Sequence, residues 1–404
     1  MQTAAVRETK AFGRHIKRHV LATEHRIAAI TPPEFVHLCE KELRDAGFEE
    51  LSVTEAGIEF TEKLTACYLC NLWLRTASRI LCRVDYFRSG AIEQLFNRVS
   101  TFRWELWLNS KIRPQIEVHV KRSRIQHEGL IEKTVLEGIQ KRFTDVRLVP
   151  PAQCELQREE AGYQSKVVQR IIVRIISNHC EISLDTSGAH LHQRGYRLVH
   201  AGAPLRETLA AAILMKAGWH GDRPIIDGMS GSGTVPIEAS LLARRLPPGF
   251  MRSFLFEEWP AFQEKTWRYL LRKASDSALS KSPVPIIAIE EDPGAIAVSK
   301  QNAKQAGVSG DILWHQADFF SIQPQTLNLA PGLLFLNPPY GKRLEQKEDL
   351  YERLGAHLRR FYKGWQVVIM APDRTQATRL KFDRARYWHV KHGGIPIMVV
   401  FALL

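Results

Sequence analysis

Cysteine is scarce in this chain. Six occur in 404 residues, and only Cys67 and Cys70 form a C-x-x-C pair. A structural zinc site needs two further ligands at matching spacing, and Cys39, Cys82, Cys154 and Cys180 supply no second pair. The stretch "TACYLCNLWL" has helical apolar spacing, so Cys67 and Cys70 are expected in a core and no metal is expected. An apolar run long enough to span a membrane is missing, as is the apolar core of a secretory signal. Scattered thiols without such a signal suit a reducing, cytoplasmic compartment. Acids are the minority, 43 Asp and Glu against 56 Lys and Arg, for a net charge of +13. That balance favours polyanionic partners, although charge alone does not separate RNA from DNA or an anionic membrane.

What is present falls into pieces. Residues 1–23 read as a basic tail carrying Arg7, Lys10, Arg14, Lys17 and Arg18 against Glu8. Residues 24–91 alternate strand and helix: "HRIAAI", "PPEFVHLCEKELRDAGF", "LSVTEAGIEF" and "EKLTACYLCNLWLRTAS", the pattern of a small α+β layer. Residues 92–186 hold the β-branched runs "QIEVHVKRS" and "KVVQRIIVRIISNHCEISLDT", with the helix "IEKTVLEGIQKRF" between them. Lys121, Arg122 and Arg124 end the first run as a compact positive group, a candidate contact for RNA phosphates.

From residue 187 to 404 the rhythm changes. "PIIDGM", "PIIAIE", "ILWHQAD", "LLFLNPP" and "QVVIMAP" are unbroken apolar runs separated by helices, which suits parallel strands buried on both faces. "RYWHVKHGG" and "IPIMVVFALL" then form a hairpin across Gly393-Gly394. The fold class expected is α/β, a parallel sheet closed by an antiparallel hairpin, as in Rossmann-type class I methyltransferases.

The first of those strands leads into "DGMSGSGTVPIEAS". Strand, glycine-rich turn and helix bind nucleotides at the carboxyl ends of α/β sheets. No Lys-Ser or Lys-Thr follows the glycines, which removes a phosphate loop. Pro236 stands where a dinucleotide fingerprint has its third glycine. Asp227 would repel a pyrophosphate and attract a cation, and S-adenosyl-L-methionine carries an ammonium and a sulfonium. Ser230, Gly231 and Gly233 are expected around it. Glu290, ending the second strand, is placed for ribose hydroxyls, and Asp318, ending the third, for the adenine amino group.

The fourth strand runs into Asn337-Pro338-Pro339-Tyr340. An exocyclic amino group on a nucleobase is a poor nucleophile because its lone pair is delocalised into the ring. The Asn337 side-chain oxygen and the Pro338 carbonyl can accept its two N–H bonds and free that lone pair. Tyr340 offers a face for the base, and Pro338 and Pro339 hold the acceptors still. Such a site needs neither a metal nor a strong base.

The motifs "NPPYGKRL", "RGYRLVHAGAPLRETLAAAILMKAGW" and "PGFMRSFLFEEWPAF" resemble those of THUMP-domain RNA guanine-N2 methyltransferases, most of all bacterial enzymes for large-subunit ribosomal RNA. The resemblance implies a ferredoxin-like domain over 24–91, a THUMP RNA-binding domain over 92–186 and a methyltransferase domain over 187–404. It also implies that Glu207 and Thr208 close over the methionine end of the cofactor. Lys342 and Arg343 are candidate RNA contacts, and Arg194 and Arg197 are expected either to meet RNA phosphates or to cap carboxylates. Where the family usually has Pro and Cys in the first loop, this chain has Gly228 and Ser230. Alternatives left open are a tRNA substrate, adenine N6 as the acceptor, and a non-catalytic RNA-binding assembly factor.

Overall fold

The protein is described by a computed structural model covering residues 10–109, 112–146, 167–197, 204–338 and 349–404. Its contacts divide the chain into two units, one of residues 1–191 with 253–270, the other of 192–252 with 271–404.

The first unit is built on one seven-stranded sheet. Its strands are β1 (Glu24–Ile30), β2 (Ser52–Thr54), β3 (Gly57–Lys63), β4 (Arg79–Arg88), β5 (Arg113–Lys121), β6 (Val168–Ile176) and β7 (His179–Asp185). Their spatial order is β2-β3-β1-β4-β7-β6-β5. Strand β1, the helix Val36–Asp45, β2, β3, the helix Thr65–Trp73 and β4 follow one another, and β1 pairs antiparallel with both β3 and β4. That is the ferredoxin-like βαββαβ arrangement. Strand β4 also pairs with β7, so residues 24–91 and 92–186 share one sheet. The β6–β7 hairpin turns at Ser177-Asn178, both left-handed with φ of 50° and 62°, as a two-residue turn requires. Cys67 and Cys70 are buried, as are Cys39, Cys82 and Cys180, and burial pushes the Cys70 thiol well up.

Two expectations are corrected here. The supposed basic tail is helical from residue 10 to 21, because Ile16 and Val20 are buried and the His25 ring bonds the Val20 carbonyl at 2.7 Å. The boundary between units lies at Leu191, and "SFLFEEWPAF" belongs to the first unit. There the Phe256 ring stacks on Tyr68 at 4.3 Å between centroids, and Trp259 Nε1 donates to Gln169 Oε1 at 2.7 Å.

The second unit carries β8 (Ile225–Asp227), β9 (Ile286–Glu290), β10 (Ile312–Gln316), β11 (Leu333–Leu336), β12 (Gln366–Ala371), β13 (Ala385–His392) and β14 (Ile395–Leu403). Their order is β10-β9-β8-β11-β12-β14-β13, with β8 to β12 parallel and β14 antiparallel to both its neighbours. The apolar runs are short because each strand is covered on both faces: Leu333 to Leu336 are all fully buried. The chain reverses direction through the sheet between β8 and β11. In open α/β sheets the ligand crevice forms at that switch, beyond the carboxyl ends.

Candidate active site

At the end of β8 the chain turns sharply. The Gly228 amide donates to the Phe335 carbonyl and the Ser230 amide to Ile289, each at 3.0 Å, so the turn is stitched to β11 on one side and β9 on the other. Gly231 and Gly233 have φ of 51° and 80°, a region side chains avoid. A Cβ on Gly233 would stand 2.7 Å from Ser299 Cβ, whereas beside Gly231 there is open space. Gly233 then caps the helix Thr234–Ala243, whose first amides and dipole face the turn.

Three carboxylates surround this turn, and backbone amides hold each of them. Asp227 accepts from Met229 N at 3.3 Å. It is buried, and that burial, with Glu290 nearby, pushes its carboxyl up to about 8. Glu290 accepts from Gly231 N at 2.7 Å through Oε2 and from Asp292 N at 3.1 Å through Oε1. Asp318 accepts from Phe320 N at 3.1 Å. Each carboxylate keeps lone pairs for a further donor. A buried acid that resists ionisation in the free protein is suited to a cationic partner that would restore its charge.

Strand β11 brings Asn337 alongside. Phe335 is paired with Asp227, so Asn337 lies just past the turn's first residues. Its Oδ1 is buried and meets no hydrogen-bond partner among the described residues, and the same holds for Ser230 Oγ. Orphaned buried acceptors are costly unless something completes them. Two of them at one strand edge, with an ionisable acid and a cradle of open space, fit a bound S-adenosylmethionine and a base beside it. The residues Pro339, Tyr340, Lys342 and Arg343 lie outside the described residues.

The remaining sequence candidates separate. Glu207 and Thr208 begin the helix Glu207–Lys216 and are buried. Burial raises the Glu207 carboxyl, and Arg197 Nε donates to it at 3.0 Å. Arg197 also donates to Ser232 Oγ at 3.2 Å, Thr234 Oγ1 at 2.9 Å and the Leu205 carbonyl at 3.2 Å. Arg194 is 2% exposed and pairs with Glu238 at 3.5 Å. Of the two expectations for Arg194 and Arg197, the carboxylate partner is the one seen: each guanidinium pairs with an acid of its own unit. Arg197 clamps the glycine-rich turn to the residues before Glu207, a role the sequence showed only as a cation near a Gly-Tyr. Lys121, Arg122 and Arg124 are exposed at the end of β5, and Arg122 takes a left-handed φ of 52°. Among the described residues no group of His, Cys, Asp and Glu could hold a metal ion, and no helix is long and apolar enough to cross a membrane.

Strand order, glycine turn, and acids at the ends of β8, β9 and β10 define a class I methyltransferase domain, the S-adenosylmethionine-dependent kind. Comparison with known proteins agrees. Residues 194–399 match the RMKL-like methyltransferase domain and residues 26–81 the RlmL ferredoxin-like domain, and the chain belongs to that RMKL-like family. YpsC of Bacillus subtilis, named as a candidate RNA methyltransferase, is 32% identical over 90% of this chain and 96% of its own. The ribosomal RNA large subunit methyltransferase K/L of Syntrophotalea carbinolica is 31% identical over 91% of this chain, which spans only 52% of that relative. Among solved structures, SMU.472, a candidate methyltransferase complexed with SAH, superposes with a TM-score of 0.81 at 25% identity, covering 94% of this chain and 98% of that one. A protein of Listeria monocytogenes, named by prediction as an N6-adenine-specific DNA methylase, gives 0.80 at 27% identity, covering 95% and 97%.

Proposed function

We propose that this chain is a cytoplasmic RNA methyltransferase acting on the exocyclic N2 amino group of a guanosine in large-subunit ribosomal RNA. The reading rests on the buried Asn337 Oδ1 at the end of β11, which meets no hydrogen-bond partner among the described residues. It is supported by the names of the K/L relatives and by the net charge of +13. S-adenosylmethionine supplies a methyl group already activated by its bond to a sulfonium. The protein's own residues do the rest. Asp227, once ionised, complements a cation. Glu290 and Asp318 retain acceptor capacity for hydroxyl and amino groups. Asn337 Oδ1 and the Pro338 carbonyl take the two N–H bonds of the target amine, localising its lone pair. The nitrogen would gain a bond to the methyl carbon as that carbon's bond to sulfur breaks, the positive charge would pass from sulfur to nitrogen, and the alkylated aryl ammonium would give up one proton to water without a strong base. Catalysis is thus by positioning, which supplies roughly 7–11 kcal/mol in favourable cases.

Adenine N6 is the second reading, favoured by the name of the Listeria neighbour. Mass spectrometry of nucleosides from RNA of cells with and without this chain separates the two. Loss of N2-methylguanosine from large-subunit RNA is the expected result. Loss of N6-methyladenosine, or of N2-methylguanosine from tRNA alone, would overturn it.

A further inference from the structure

The β13–β14 hairpin stands out at the catalytic edge of the sheet. Strand β13 runs parallel to β12, since both are antiparallel to β14. Ala371, the last residue of β12, is level with Met398 and through it with His389. Val390, Lys391 and His392 therefore run on past the carboxyl edge, by about 10 Å at the rise of a strand. The edge they overshoot is the one that carries Asn337. At the tip Gly393 and Gly394 make the turn with φ of 58° and 86°. Lys391, Ile395 and Pro396 are exposed there, Ile395 by 62%.

This projection is braced. It is paired residue for residue, and the His392 ring bonds the Pro204 carbonyl at 3.1 Å, just before Arg206 and the buried Glu207. Arg206 is exposed and close enough to His392 to oppose protonation of its ring, after burial the main cause of its lowered basicity. The projection thus has an exposed cation on its own strand, Lys391, and another, Arg206, beside His392. The stretch of chain that ends in this hairpin is basic as well: residues 349–404 hold ten Lys and Arg against four Asp and Glu. A branched aliphatic side chain held in solvent at the first paired position after a two-residue turn contributes nothing to the core. Beside a cationic edge, its chemistry is that of an apolar wedge that separates stacked bases while neighbouring cations hold phosphates.

Building on the RNA reading above, we propose that the hairpin tip is an RNA wedge, with Ile395 pressed between bases next to the target nucleotide and Lys391 on an adjacent phosphate. It would keep the target out of its stack while Asn337 holds the amine.

The test uses the full chain and two substrates: deproteinised large-subunit RNA from cells lacking it, and a short unpaired oligoribonucleotide containing the nucleotide that wild type modifies. Ile395→Ala should lower kcat/KM about tenfold on the structured RNA and leave the oligonucleotide unchanged, since only paired or stacked targets need opening. Ile395→Phe should restore the rate. Lys391→Ala should raise KM for RNA and reduce the salt slope of binding by about one. Calorimetric affinity for S-adenosylmethionine should be unaltered in all three, which shows the fold intact. Wild-type rates for Ile395→Ala on both substrates, or an equal loss on both, would overturn the wedge. A wild type inactive on every RNA would bring down the parent reading, and the wedge with it.

Discussion

The two seven-stranded sheets use carboxylates in opposite ways. On the first, acids are consumed by arginine. Arg83 donates to Glu59 at 2.6 Å and approaches Glu181 at 3.1 Å, Arg26 also pairs with Glu181, and Arg79 pairs with Asp185, whose side chain is 1% exposed. On the second, Asp227, Glu290 and Asp318 accept from backbone amides. An amide orients a carboxylate without a full counter-charge, so the group stays hungry for a cation or hydroxyl. The first pattern makes a scaffold and the second makes a site. Identical residue types become one or the other according to what the neighbouring strand ends present.

The contrast can be broken in four places. The largest effect is expected from Arg79→Ala, which leaves Asp185 buried without its partner and should cost about 3–5 kcal/mol of stability in denaturant unfolding. S-adenosylmethionine affinity at a temperature where the variant is folded should not change. Next, Asn337→Ala should reduce methyl transfer by at least about a hundredfold with cofactor binding retained in calorimetry. Retained turnover would remove Asn337 from the chemistry. Glu290→Ala should weaken cofactor binding by about 1.5–3 kcal/mol, the range for hydrogen bonds to charged groups; an unchanged affinity would make Glu290 a brace for Gly231 alone.

The smallest effect is a matter of pH. Asp227 sits near 8 in the fold and about 4 in an unfolded chain. Its neutral form therefore favours the folded state of the free protein, and that contribution declines as pH rises from about 4 to 8. Cofactor affinity should run the other way and strengthen as pH rises through 7 to 8, with a proton released on binding. Asp227→Asn should flatten that dependence in titrations in two buffers of different ionisation heat.

Much of the second sheet was legible because each of its strands is a local apolar run with a turn signal behind it. "LLFLNPP" and the Gly393-Gly394 turn announce themselves within ten residues. The acids at three strand ends were legible for the same reason. What escaped was long-range. Strand β4, which joins the two halves of the first sheet, has Arg79 and Arg83 within its buried first half, and the distant carboxylates of Asp185, Glu59 and Glu181 pair with them there. Phe256 and Trp259 pack on Tyr68 and Gln169, some 90 to 190 positions away, so nothing in their own stretch assigns them to the first unit. For Arg194 and Arg197 the sequence leaves phosphate and carboxylate partners equally open, and Glu238 and Glu207, 44 and 10 positions on, supply the carboxylates in three dimensions.

Gly228 carries one more consequence. A Cβ there would fall 2.5 Å from Leu336 Cδ2 and 2.6 Å from a carbon of the Phe319 ring, and its amide is already engaged by Phe335. A proline there would collide with both side chains and forfeit that bond. Installing it alone should harm the chain, and trimming Phe319 first would relieve only part of the harm. Residue 228 and its neighbours are therefore coupled: the space a side chain would need is already filled by Leu336 and Phe319, so changes at this loop cannot be made one at a time.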